Sequence, residues 1–211
     1  VWPVIAERLQ TRFCGAVLPP VQTPEQFAGT VGDTVNALAI SSTTYSQAAL
    51  YTLYAVASAS PDHEIIIGGA FEFVPVIPFA AAAAETRCGP IRAFDISEHS
   101  AERFRALQRL GLQLFQTATF EQADVLKRIP AAQTPAVYLF DMDAGRDKTS
   151  YILALDRLLD GGATGLVIFH DCHVDHFGAV FETLDRRLTG HGRAALTRLP
   201  VDEFGLAMVK L

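Results

Sequence analysis

Two short apolar runs that each stop on a carboxylate constrain this chain most: Tyr138-Leu139-Phe140-Asp141 and, after Gly161-Gly162, Gly165-Leu166-Val167-Ile168-Phe169-His170-Asp171. Runs of this length, apolar at successive positions and bounded by turn residues, suit strands covered on both faces of a parallel sheet. In open α/β sheets, ligands collect at the carboxyl ends of such strands. The two acids are therefore expected to share one cleft.

From about Ile65 onward, short apolar runs alternate with amphipathic stretches, the rhythm of repeated βα units. Strands are expected near Ile65–Ile67, Ile91–Phe94, Leu112–Thr117, Ala136–Phe140 and Gly165–Phe169. Helices are expected near Val76–Thr86, Ser100–Leu110, Glu121–Arg128, Thr149–Leu159 and Ala179–Leu188. In the second of these, Phe104, Leu107 and Leu110 recur at helical spacing while Glu102, Arg103, Arg105 and Arg109 take the other face. The ending breaks the rhythm. Ala194–Leu199 and Phe204–Leu211 are strand-like runs separated only by Pro200-Val201-Asp202-Glu203, too short for a crossover helix, so the final strand should run antiparallel. Ahead of the repeat, Pro24 and Glu25 open one helix and Ser46–Ala57 forms another, with Ser41–Thr44 as linker.

With 211 residues, 50% of them hydrophobic, the chain has the material for one well-buried core. Cys14, Cys88 and Cys172 are odd in number and widely spaced, which fits a reducing compartment or incidental buried thiols better than a disulfide framework. A net charge of -6, with no basic block, speaks against nucleic acid as a partner. Phe73–Ala84 is the longest apolar run, and Pro75 and Pro78 interrupt it, so no membrane span is expected. No signal-peptide pattern follows Val1, and the expected location is cytoplasmic.

Five βα units, a terminal hairpin, and an acid closing the second strand in Phe94-Asp95-Ile96-Ser97 together resemble the class I S-adenosylmethionine-dependent methyltransferases. The resemblance covers Ser46–Leu211. Asp141 followed by a helix, the Gly161-Gly162 pair and Phe169-His170-Asp171 are most similar to small-molecule O-methyltransferases of bacterial secondary and surface-sugar metabolism. It implies a Rossmann-like α/β fold: a seven-stranded, mostly parallel sheet of order 3-2-1-4-5-7-6, the last strand antiparallel, with helices on both faces. Residues 1–45 would be a partly helical N-terminal extension and 46–211 the methyltransferase-like domain. The implied partner is a small hydroxylated acceptor, with a homo-oligomer or an assembly partner also open.

The resemblance also assigns roles. Asp95 would accept hydrogen bonds from the cofactor's ribose hydroxyls, its other reading being a turn or N-cap acid. Thr119 and Phe120, placed after the third strand, would contact adenine, and Phe120 is equally readable as core. Asp141 would lie beside the transferred methyl group, either accepting the acceptor's proton or, with Asp171, holding Mg²⁺; Asp143 could share either role. His173 is the candidate general base. It belongs to a ligand-rich cluster with His170, Asp171, Cys172 and His176, whose spacing matches no zinc pattern.

The loop after the first strand departs from the family's acid-x-Gly-x-Gly-x-Gly. It reads Ile67-Gly68-Gly69-Ala70-Phe71-Glu72: Gly68 stands at the first glycine, Ala70 at the second and Glu72 at the third. Ile66 or Ile67 replaces the acid that would bind the methionine ammonium, a task open to Glu72 or a backbone carbonyl near Gly68; Glu72 could instead repel the cofactor's carboxylate and mark a domain that no longer binds it, and a positive φ at Ala70 would be disfavoured. Two functions stay open: methyl transfer from S-adenosylmethionine to a small hydroxylated acceptor, and a catalytically inactive methyltransferase-like domain with a structural role. An NAD-dependent oxidoreductase is weakened by the missing Gly-x-Gly-x-x-Gly and by the terminal hairpin.

Overall fold

The computed structural model describes residues 22–37, 45–86, 89–109, 116–129, 135–142 and 148–211. Strands β1 (Glu64–Gly68), β2 (Ile91–Asp95), β3 (Ala118–Gln122), β4 (Ala136–Phe140), β5 (Gly165–His170), β6 (Thr197–Leu199) and β7 (Leu206–Lys210) form one sheet of order β3-β2-β1-β4-β5-β7-β6. β7 runs antiparallel to both neighbours, and the remaining pairings are parallel. The expected order and the antiparallel last strand are both present. The cause of the latter is the short 200–205 connection, which lets the chain return only as a hairpin.

Successive side chains of a strand point to opposite faces, and the apolar runs feed two cores. Ile65, Ile67, Val137, Leu139 and Ile168 face one of them. Helices α1 (Pro24–Ala37), α2 (Gln47–Ser58), α3 (Val76–Glu85) and α4 (Glu98–Arg109) contribute to that side through Phe27, Tyr54, Phe79 and Phe104. Ile66, Tyr138, Phe140, Val167 and Phe169 face the other core, covered by α5 (Thr149–Asp160) and α6 (Gly178–Gly190). Each fully buried aliphatic or aromatic side chain contributes about 1.5–3 kcal/mol, so strands apolar on both faces hold only between two helical layers.

Local signals set several helix starts. Thr23 Oγ1 accepts from Gln26 N–H while Gln26 Oε1 accepts from Thr23 N–H, a reciprocal cap on α1, and Ser46 Oγ accepts from Ala49 N–H to cap α2. Helix α3 begins at Val76, before its second proline. Pro75 precedes it and Pro78 lies in its first turn, where amide hydrogens have no intrahelical acceptor to lose. Helix α1 packs on α2, with the Phe27 ring 4.7 Å from Tyr54 and 5.6 Å from Tyr51.

Two elements differ from expectation. Of the strand expected at 112–117, 112–115 lie outside the described residues and Gln116-Thr117 form a turn. The strand is instead Ala118–Gln122, in register with all five residues of β2. The helix expected at Glu121–Arg128 is absent: Glu121 and Gln122 finish β3, and only a single 3-10 turn follows at Val125–Lys127, capped by Asp124 Oδ1 accepting from Leu126 N–H at 3.0 Å. β3 therefore lies further along the chain than the apolar pattern suggests, its five residues pairing with all of β2. The expected linker 41–44 and Leu110 lie outside the described residues.

Candidate functional site

The loop after β1 is wedged between the carboxyl ends of its neighbours. Gly68 O accepts from Asp141 N–H at 2.8 Å, and Gly69 N–H donates to Phe94 O at 2.9 Å. Gly69 has φ +90, and a Cβ there would stand 1.9 Å from the Asp141 carbonyl oxygen, so only glycine fits. The loop thus joins the end of β1 to that of β4. Beyond it, positive φ falls on Phe71 (34) and Phe73 (66) rather than on Ala70. Such non-glycine residues cost on the order of 1–3 kcal/mol each, offset here by burial of Phe73 against the Phe104 and Phe120 rings at 5.5 and 5.4 Å.

Asp95 closes β2 and holds this loop: its Oδ2 accepts from Phe71 N–H and its Oδ1 from Ser97 N–H, both at 2.8 Å. A carboxylate has about four acceptor positions, so these two bonds leave room for further donors. Phe71, whose N–H this carboxylate accepts, and Ile96, which follows it in the chain, are exposed, at 61% and 76%. Glu72 is committed elsewhere. Its carboxylate takes His99 Nε2 at 2.7 Å and Arg103 Nε at 2.6 Å, both from α4. Burial opposes its ionisation, but these two partners outweigh that and hold it below the usual carboxylate range.

Thr119 and Phe120 lie within β3 rather than after it. Thr119 Oγ1 donates to Ile91 O at 3.2 Å, and Phe120 packs against the first core. The residues that leave the carboxyl end of β3 are Ala123 and Asp124.

At the ends of β4 and β5 the structure brings Asp141 and Asp171 together, as their strand positions imply, around a lysine and a histidine. Lys148, whose side chain is 1% exposed, places Nζ 2.9 Å from Asp171 Oδ2 and 3.4 Å from Asp141 Oδ1, and donates to Met142 O at 2.5 Å. It reaches this position from left-handed backbone (φ 56) just ahead of α5 and lies over the Tyr151 and Phe177 rings at 5.1 and 5.7 Å. Asp171 also has positive φ (65). His170 Nδ1 lies 3.0 Å from Asp171 Oδ1 and 3.5 Å from Asp141 Oδ1, yet neither ring nitrogen has a partner in hydrogen-bonding geometry.

These charges set one another's ionisation. Burial lowers the His170 pKa, but the two carboxylates outweigh it and bring it to about 9; because the approaches are misaligned, we assign the rise to charge proximity. Burial raises Asp171, and His170 and Lys148 reverse this to about 2. Asp141 follows the same logic and sits below its usual value. A carboxylate so held is a weak base. Tyr45 completes the cluster from the opposite side of the sequence: its hydroxyl donates to Asp141 Oδ2 at 3.0 Å and its ring stacks on His170 at 4.2 Å and 9°. Burial and the Asp141 charge push the Tyr45 pKa well above 10.0, so it remains a donor. Its neighbour Ser46 is fixed to the β6–β7 turn, where Asp202 Oδ2 accepts from Ser46 N–H at 3.1 Å.

His173 and His170 divide the sequence expectation. The His173 N–H donates to Phe204 O at 2.8 Å and its ring lies against Gly205, whereas His170 holds the place between the two acids. Cys172 is buried in the second core, where burial pushes its thiol up to about 12, and the His176 ring packs on Phe177 at 3.9 Å. Among the described residues, the group able to converge on an ion is Asp141, His170 and Asp171, within 4.8 Å of one another; Asp143 lies outside those residues. The sequence reading did not single out Lys148 or Tyr45. A lysine before a helix reads as solvated, and nothing local links Tyr45 to an acid 96 residues away.

The fold is that of the class I S-adenosylmethionine-dependent methyltransferases. A methyltransferase from Geobacter sulfurreducens is 17% identical, with TM-score 0.59 over 100% of this chain and 96% of that one. The methyltransferase PaMTH1 of Podospora anserina, solved with S-adenosylhomocysteine, has TM-score 0.65 at 11% identity over 99% and 94%. The O-methyltransferase TomG of Streptomyces achromogenes, solved with S-adenosylmethionine and involved in tomaymycin synthesis, has TM-score 0.63 at 13% identity over 99% and 96%. No protein-family model matches the chain, and no curated protein matches it. Among the described residues, no helix is long and apolar enough to cross a membrane.

Proposed function

We propose that this chain transfers a methyl group from S-adenosylmethionine to a hydroxyl of a small acceptor. The observation that carries this reading is the Gly69 contact with the Asp141 carbonyl, which puts the loop next to Asp95 and the charged cluster of Asp141, Lys148, His170 and Asp171 along one line of strand ends. Bound there, the cofactor would supply an electrophilic methyl group on a sulfonium. Asp95, with room for further donors, suits its ribose, and exposed Phe71 and Ile96 offer apolar surface to its base. Asp141 and Lys148 would orient the acceptor hydroxyl by accepting from it and donating to it. Orientation is the fitting role, since Asp141 is held too acidic to remove an alcohol proton efficiently. The net charge of -6, with no basic block to follow a phosphate backbone, favours a small acceptor over a polyanion.

One observation favours the second reading, a methyltransferase-like domain without catalysis. Both Glu72 oxygens are engaged by His99 and Arg103 of α4, so the charge of the carboxylate expected to meet the methionine ammonium is already balanced by a guanidinium. Calorimetric titration with S-adenosylhomocysteine separates the two. Catalytic competence predicts saturable binding that Asp95→Ala weakens by about 10- to 150-fold, the loss of a charged acceptor. Absence of binding by the wild type would leave the structural reading.

A further inference from the structure

We propose that the Lys148 ammonium takes the place of a divalent cation at the ends of β4 and β5, so that Asp141, His170 and Asp171 hold no Mg²⁺. The three side chains converge within 4.8 Å, which by itself is compatible with a metal. The obstacle is the lysine already between the acids, with Nζ 2.9 Å from Asp171 Oδ2 and 3.4 Å from Asp141 Oδ1. Mg²⁺ binds carboxylate oxygens at about 2.0–2.1 Å, so an ion on the Asp171 oxygen that faces Lys148 would lie within about 5 Å of the ammonium.

The lysine is not free to swing aside. Its side chain is 1% exposed, its Nζ lies over the Tyr151 and Phe177 rings and donates to Met142 O, and its backbone stands ahead of α5 in the left-handed region. Its charge also offsets one of the two carboxylates, removing half of the negative charge a dication would meet. A hydrated Mg²⁺ needs further room for the several waters it keeps, and Tyr45 closes the side of Asp141 that Lys148 leaves open, donating to Oδ2. The same four residues serve the proposed acceptor site, but cation binding is read without any methyl donor, so failure of one proposal is distinct from failure of the other.

Mn²⁺ is the probe, followed by electron paramagnetic resonance and by calorimetry, on the full chain. The wild type is expected to show no saturable Mn²⁺ binding up to millimolar concentrations. Lys148→Met keeps most of the stem while removing the charge, and should tighten Mn²⁺ binding by at least about tenfold. Adding Asp171→Asn to it should abolish the gain. Stoichiometric binding by the wild type that is lost in Asp171→Asn overturns the proposal. So does a folded Lys148→Met that binds no better than wild type. If Lys148→Met fails to fold, Lys148→Gln is read in its place by the same criteria, and stoichiometric wild-type binding lost in Asp171→Asn overturns the proposal without either variant.

Discussion

Replacing Lys148 with Met tests the charged cluster through stability alone. Met retains most of the stem, and what disappears is one ammonium with its approaches to Asp171 at 2.9 Å and Asp141 at 3.4 Å, its bond to Met142 O and its place over the Tyr151 and Phe177 rings. Breaking a buried ion pair by deleting one partner costs about 3–5 kcal/mol, because the remaining charge is left in a poor solvent. His170 still neutralises one of the two carboxylates, which places the expected loss near the lower end, about 3 kcal/mol, a large share of a typical folding free energy. Urea unfolding at pH 7 measures it directly. Asp171→Asn in the Lys148→Met background should recover part of the loss, with a coupling energy of at least about 1 kcal/mol, since it removes the carboxylate that the lysine had balanced. A loss below about 1 kcal/mol, the range of exposed pairs, together with zero coupling, would refute the argument that this lysine is a buried counter-ion.

The cluster also predicts how stability depends on pH. His170 has its pKa raised from 6.5 to about 9 in the folded protein, so its contribution is complete below about 6.5 and is lost as pH rises through about 9. Asp171 is lowered from 3.8 to about 2, so its contribution is present above 3.8 and disappears as pH falls through about 2. Urea midpoints across this range should therefore decline at both ends, and His170→Gln should flatten the alkaline decline; superimposed wild-type and variant curves above pH 8 would contradict the assignment. Gly69→Ala should cost more than about 2 kcal/mol by the same assay, because it adds left-handed strain to a Cβ placed 1.9 Å from the Asp141 carbonyl oxygen, and a loss under about 1 kcal/mol would show that the loop can move away from β4.

The sequence by itself determined the sheet. Continuous apolar runs such as Ile65–Ile67 and Val137–Phe140 need cover on both faces, and the spacing between runs admits crossover helices everywhere except before the last strand, so layering and the antiparallel β7 follow from local pattern and connection length. It also placed Asp95, Asp141 and Asp171 at strand ends, where the chain must leave the sheet. What those acids touch was decided by tertiary structure. Register across β1, β4 and β5 sets the Gly69–Asp141 contact, and pairing with the five residues of β2 placed β3 at Ala118–Gln122 and drew Thr119 and Phe120 into it. Glu72 was captured by His99 and Arg103 of α4, Lys148 was buried between two acids, and Tyr45 reached Asp141 across 96 residues. A charged or polar side chain carries no local periodic signal of its partner. Its ionisation and role depend on which distant groups the crossovers bring within a few ångströms, and only the assembled fold contains that information.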